Sequence, residues 1–214
     1  MSSSTSEVHY RPNQRATESW FTAWKTMVKD CIASRDLIFQ LFRRDYVMMY
    51  KKSFLGMGWH LAAPVMGILS WVMMNSTGIL DPGDVGIPYP AYVLISTTIW
   101  GFFMQTFNNM SKVLEIAQGF VMQVGFPHHV LIVKQWLETG ASFLLSLIVL
   151  VVGVVFLGVV PAPAAVLFPL ALLPILLLGT SIGLVVAVVK IVSPDIQKAI
   201  MFLMGFWMYL TPVV

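Results

Sequence analysis

Apolar residues run in long stretches that basic residues interrupt in only three places. Lys and Arg occur between Arg11 and Lys52, then as Lys112 and Lys134, then as Lys190 and Lys198. Between Lys52 and Lys112 the only formal charges are Asp81 and Asp84, in the turn Asp81-Pro82-Gly83-Asp84, and from 139 to 189 there are none. A single helix over that last stretch would be about 75 Å long, against the ~30 Å hydrocarbon core of a bilayer, so it must fold back on itself. Pro161-Ala162-Pro163 is the place to turn. The pattern predicts an all-α, polytopic membrane protein with about five spanning helices, over 58–79, 90–110, 139–160, 164–189 and 197–214. Residues 53–214 form the transmembrane domain on this division.

Upstream lie two other segments. Residues 1–16, rich in Ser and Thr, are expected to be a disordered tail. Residues 17–52 have an amphipathic pattern: Trp20, Trp24, Met27, Val28 and Cys31 recur at helical spacing, followed by Leu37, Ile38, Leu41 and Phe42. Such a helix would lie in the headgroup plane, or would pack on another protein surface. Short translocated loops lack Lys and Arg, so the N-terminus and the loops 111–138 and 190–198 are expected in the cytoplasm.

Composition agrees with the pattern. The chain is 57% hydrophobic and 11% charged, whereas soluble domains carry about a quarter charged residues. A net charge of +3 concentrated at the membrane edge does not indicate nucleic-acid binding. The single cysteine, Cys31, excludes an internal disulfide framework. There is no Gly-x-x-x-x-Gly-Lys-Ser/Thr loop to cradle ATP phosphates and no His-Glu-x-x-His, and the adjacent His128-His129 cannot share one helical face. These two histidines are read as part of a polar loop. Gly179-Thr180-Ser181-Ile182-Gly183 has the small-x-x-x-small spacing that lets helices approach closely. With no acid or base deep in a span, energy for any transport must come from a partner.

Several short motifs occur in a consistent order. Arg44-Asp45 and Tyr50-Lys51-Lys52-Ser53-Phe54-Leu55-Gly56 precede Trp59 and Pro64; Pro88-Tyr89-Pro90, Trp100, Phe103 and Asn108-Asn109 follow. Gly125-Phe126-Pro127 and Thr211-Pro212-Val213 complete the set. In this the chain resembles the permease subunits of bacterial ATP-binding-cassette polysaccharide exporters, of the O-antigen and teichoic-acid type. The resemblance implies a homodimer in the inner membrane, bound to two cytoplasmic ATPase subunits that hold the ATP and Mg²⁺, this chain itself carrying no cofactor and being no enzyme. The cargo would be a lipid-linked glycan. It also implies six spans, the last absent from this chain, with the first and fifth facing the partner subunit or the channel. Alternatives are an exporter of drugs or simple lipids with the same architecture, and a membrane scaffold that transports nothing.

Three sets of residues become candidates on that basis. Gly125, Phe126 and Pro127 in one loop, and Ser193, Pro194 and Asp195 in the other, would couple to the ATPase. Family members carry an Arg-Asp pair where this chain has Pro194-Asp195, leaving only the acid and raising Lys190 or Lys198 as compensation. Arg43, Arg44, Lys51 and Lys52 would meet a lipid diphosphate, or anchor the chain to anionic lipid. Tyr92, Trp100, Phe103, Phe202, Phe206 and Tyr209 would stack on sugar rings, or serve as interface belts and packing residues.

Overall fold

The computed structural model describes residues 20–51, 58–78, 83, 86–121, 128–193 and 195–210, and among these it contains helices and turns but no strand. Two helices, α1 (Trp20–Ala33) and α2 (Arg35–Lys51), precede the apolar body. The body comprises α3 (Trp59–Ser76), α4 (Tyr89–Ser111), the short α5 (Val113–Val121), α6 (His128–Phe156), a 3₁₀ turn over Pro163–Leu167 leading into α7 (Phe168–Ala171), then α8 (Leu173–Val192) and α9 (Asp195–Leu210).

The long helices alternate in direction. Trp71 near the end of α3 meets Tyr209 near the end of α9, with ring centroids 5.7 Å apart. Leu94 near the start of α4 packs against Leu150 and Val154 near the end of α6. At the opposite end of the bundle Gln197, near the start of α9, donates to Ser111 at the end of α4. α6 closes on Gly158, whose φ of 78° suits a residue without Cβ. Its N–H donates to the Val155 carbonyl and the Val159 N–H to the Val154 carbonyl, satisfying two orphan acceptors of the last turn. The chain then reverses through Pro161-Ala162-Pro163, as the prolines indicate.

Two segments, His129–Phe156 and Pro163–Val192, are long and apolar enough to cross a membrane. Only 28% and 33% of their apolar windows are buried, unlike the core helix of a soluble protein. Leu144, Ile148, Val152 and Phe156 on α6, and Leu177, Val185 and Val188 on α8, face outward. In water that surface would drive aggregation; a bilayer solvates it.

α4 and α8 form the tightest pairing, and the glycines explain it. A Cβ on Gly183 would fall 2.6 Å from Met110 Cβ and 2.8 Å from the Phe107 carbonyl oxygen. On Gly179 it would meet Thr106 at 3.1 Å and the Phe103 carbonyl at 3.3 Å. The small-x-x-x-small stripe is therefore the surface on which the α8 backbone rests against α4, where van der Waals contact replaces the hydrophobic effect that lipid does not supply.

Helix boundaries differ from the expected spans mainly at α6. It begins at His128 instead of 139, so Lys134 and Glu138 lie inside it and His129 belongs to its first turn, not to a loop. The two charges fall within the expected 111–138 loop; spaced i to i+4 they neutralise each other on the helix, 2.7 Å apart.

Gly183→Val is expected to lower the melting temperature of the nanodisc-embedded protein, because overpacking against the fixed Phe107 carbonyl costs about 1–3 kcal/mol. Gly205→Ala, where an added Cβ meets nothing within 4 Å, should melt like the wild type. Equal melting of both variants would contradict the close α4–α8 contact.

Candidate functional site

Polar side chains concentrate at the end of the bundle where α2, α4, α5, α6, α8 and α9 converge. At its centre Lys134 is almost fully enclosed, its side chain 3% exposed. The ammonium lies 2.8 Å from Asp45 Oδ2 on α2 and 2.7 Å from Glu138 Oε1 one turn along α6. Asp45 also accepts a 2.7 Å hydrogen bond from Arg44 Nε. Two cations and two carboxylates thus alternate in a line, and no buried charge is left uncompensated. Ile38 and Leu41, buried on α2, add apolar contact on the same side of the molecule.

Asp45 lies outside the spanning helices and its ionisation responds to this setting. Burial favours the neutral acid, but the hydrogen bonds from Arg44 and Lys134, reinforced by their charges, outweigh burial and hold the carboxyl below the ordinary aspartate range. The Arg44 guanidinium is raised in turn, chiefly by its hydrogen bond to Asp45.

A neutral network continues the line inward. Asn109 Nδ2 donates to Thr139 Oγ1 at 2.9 Å, and Gln135 Nε2 to the Asn109 carbonyl at 3.2 Å, joining α4 to α6. Trp136 Nε1 donates to Thr180 Oγ1 at 2.9 Å, joining α6 to α8. Gln197 Nε2 donates to Ser111 Oγ at 3.0 Å, joining α9 to α4. Lys190 at the end of α8 meets Glu115 on α5 at 2.8 Å. Each bond spans two elements, and such bonds within membrane bundles contribute about 0.6 kcal/mol apiece on average. Their number at one end makes that end the stiff one.

The residues singled out in the sequence fall into separate places. Gly125, Phe126, Pro127, Pro194 and Lys52 lie outside the described residues. Ser193 caps α8 in an extended conformation, and Asp195 opens α9. Asp195 projects outward beside Lys198, 3.1 Å away, with both side chains more than 80% exposed. Lys198 is therefore the cation that accompanies the remaining acid, while Lys190 is engaged by Glu115. Of the basic set, Arg43 and Lys51 are exposed, whereas Arg44 is committed to Asp45. Lys134, Gln135 and Glu138 are positions at this end that no motif in the sequence singles out. Their i, i+4 spacing and the adjacency of Arg44 to Asp45 were the available signals.

The six aromatic candidates do not converge. Trp100 and Phe103, 5.4 Å apart, line an apolar cleft of about 480 Å³ with Met204 and Trp207, between α4, α8 and α9. Phe202 and Phe206 meet edge to face on the outward side of α9, Tyr209 leans on Trp71, and Tyr92 stacks with Tyr89 at the far end of α4.

Over 189 residues the chain is 25% identical to the O-antigen export system permease protein RfbA of Myxococcus xanthus, an alignment covering 87% of this chain and 71% of that protein. No family model matches the chain.

Replacing Lys134 by Met is expected to leave Glu138 without its cation and Asp45 with Arg44 alone, and so to weaken the packing of α2 on α6 by about 1–3 kcal/mol. Limited proteolysis within α2 measures this, and unchanged protection would contradict the ion-pair line. The pH dependence has a defined sign. Because the folded-state pKa of Asp45 is depressed, its contribution is complete above the unfolded aspartate pKa and is lost as the pH falls through the folded value. Protection of α2 should accordingly drop on acidification from about pH 6 to about pH 3, and Asp45→Asn should remove much of that pH dependence.

Proposed function

We propose that this chain is the permease subunit of an ATP-driven exporter that moves a lipid-linked polysaccharide of the O-antigen type across the inner membrane. The observation that carries the proposal is the similarity to an O-antigen export permease along 87% of the chain. It also favours a transport subunit over an enzyme. On this reading α3, α4, α6, α8 and α9 are the spans, the ion-paired end of the bundle faces the cytoplasm, and two copies assemble with two ATPase subunits that bind ATP and Mg²⁺.

The geometry is consistent with mechanical coupling. A permease without a nucleotide loop receives work only through elements stiff enough to transmit displacement. α5 abuts this end of the bundle and is tied to α8 by Glu115–Lys190; the Asp195–Lys198 pair stands at the start of α9, held to α4 by Gln197. Force applied to α5 or to the α8–α9 turn would therefore reach α4 and α8 together. Arg43 and Lys51, exposed on α2, are available for lipid phosphate, and anchoring to anionic lipid uses the same charges.

Co-purification with an ATP-binding-cassette ATPase in nanodiscs tests the proposal. The ATPase is expected to remain bound and its hydrolysis to rise on addition of a diphosphate-linked polyprenyl glycan. Asp195→Ala should lower that stimulated rate severalfold while leaving the melting temperature unchanged, because the Asp195–Lys198 pair is solvated and contributes little to stability. Failure of any ATPase to associate would favour the scaffold, and stimulation by drugs or simple lipids instead of the glycan would favour the other exporter class.

A further inference from the structure

A second cavity, of about 290 Å³, lies between α3, α4 and α6. Its size is at the lower end of the range of about 300–1,000 Å³ for small-molecule sites, enough for one ring and not for an oligosaccharide. Trp59, Phe102 and Phe143 supply aromatic surface, one from each helix. Thr97, Thr98, Gln105 and Ser146 supply polar groups, and among the described residues no ionisable side chain lines the space.

The hydrogen-bond directions narrow the ligand. Thr97 donates its hydroxyl proton to the Val93 carbonyl at 2.6 Å, Thr98 to Leu94 at 2.6 Å and Ser146 to Ser142 at 3.3 Å. Three hydroxyls whose protons are already used present lone pairs as acceptors. The Gln105 amide makes no hydrogen bond among the described residues and offers both a donor and an acceptor. An acceptor-rich, uncharged wall backed by aromatic surface suits a neutral molecule with several O–H donors and an apolar face. Among the described residues a phosphate would find no cation there, and an ammonium no carboxylate.

The cavity also depends on missing side chains. Gly67 on α3 and Gly101 on α4 both line it, and a Cβ at either would meet nothing within 4 Å. Unlike Gly179 and Gly183, these glycines are not required by close helix contact. They leave room.

We propose that this cavity is a carbohydrate site that holds one uncharged sugar ring of a membrane-anchored glycolipid, its face against the aromatic side chains and its hydroxyls donating to Thr97, Thr98 and Ser146. The proposal rests on the export reading for why a glycan is present, but its chemistry comes from the lining alone.

Native mass spectrometry of the full chain released from nanodiscs measures binding of two lipid pairs. One is polyprenyl diphosphate with and without a single N-acetylglucosamine; the other is diacylglycerol with and without glucose. The sugar-bearing member of at least one pair is expected to bind about tenfold more tightly, as several net hydrogen bonds allow. Preference within the first pair alone identifies the cargo lipid as the source, and preference within both identifies a general glycolipid site. Gly101→Leu, which fills the space, and Gln105→Leu, which removes the amide, should each abolish the preference while binding of the sugarless lipids is unchanged. Gly67→Leu provides an independent filling variant should Gly101→Leu fail to fold. Equal binding with and without sugar, or a preference that survives all folded variants, overturns the proposal, even where an ATPase associates and is glycan-stimulated. Displacement of the glycolipid by a phosphocholine lipid overturns it in favour of an ammonium site. A variant-sensitive sugar preference in a chain that binds no ATPase supports the site and counts against the export reading only.

Discussion

Inside hydrocarbon a polar side chain has no water to turn to, so a polar group on a spanning helix is stabilised by a partner on that helix or on a neighbour. The arrangement of this bundle follows from how its polar groups find such partners. Ser70, Thr98, Thr106 and Ser181 return their protons to carbonyls four residues back, which satisfies the donor without joining anything. Asn109, Gln135, Trp136 and Gln197 reach across instead, and because all four act at one end, that end is fastened in several directions at once. Lys134 carries the same logic to full charge. Its enclosure is tolerable because Asp45 and Glu138 both reach it, which also fixes where α2 sits against α6.

The opposite end is held differently. Ring contacts such as Trp71 with Tyr209, and apolar packing of Leu94 against Leu150 and Val154, are short-ranged and carry no directional bond. α9 illustrates the contrast: Gln197 in its first turn is buried, while Phe202, Leu203, Phe206, Trp207 and Leu210 beyond it are exposed. Its start is fixed by the directional bond from Gln197 to Ser111, and its far end meets α3 through the rings of Tyr209 and Trp71. Between these two points Met204 and Trp207 line an apolar cleft with Trp100 and Phe103 of α4.

Much of this was legible in the sequence where a residue's meaning is local. Gly179 and Gly183 announce close helix contact because only a missing Cβ permits it, and Pro161 and Pro163 announce a reversal because neither can donate to a helix ladder. What was hidden depends on partners distant in the chain. Lys134 and Glu138 resemble loop charges until Asp45, far upstream, is placed beside them; Arg44 resembles a free anion-binding group until its neighbour proves to be its partner. The aromatic candidates show the same limit. Phe202 and Phe206 share a helical face by spacing alone, but whether that face meets another helix is not a local property, and among the described residues both point outward, apart from the cleft that Trp100 lines.

The glycines separate two uses of the same residue type. At Gly183 an added methyl would collide with backbone, so glycine is a condition of assembly. At Gly67 and Gly101 nothing would be struck, and glycine there lowers helix propensity by about 1 kcal/mol relative to alanine, with no packing gain in return. A cost in propensity at two facing positions of one cavity is economical only if the empty volume itself has a use. The neighbouring hydroxyls, with their protons turned to the backbone and their lone pairs to the space, indicate what kind of molecule that volume would accept.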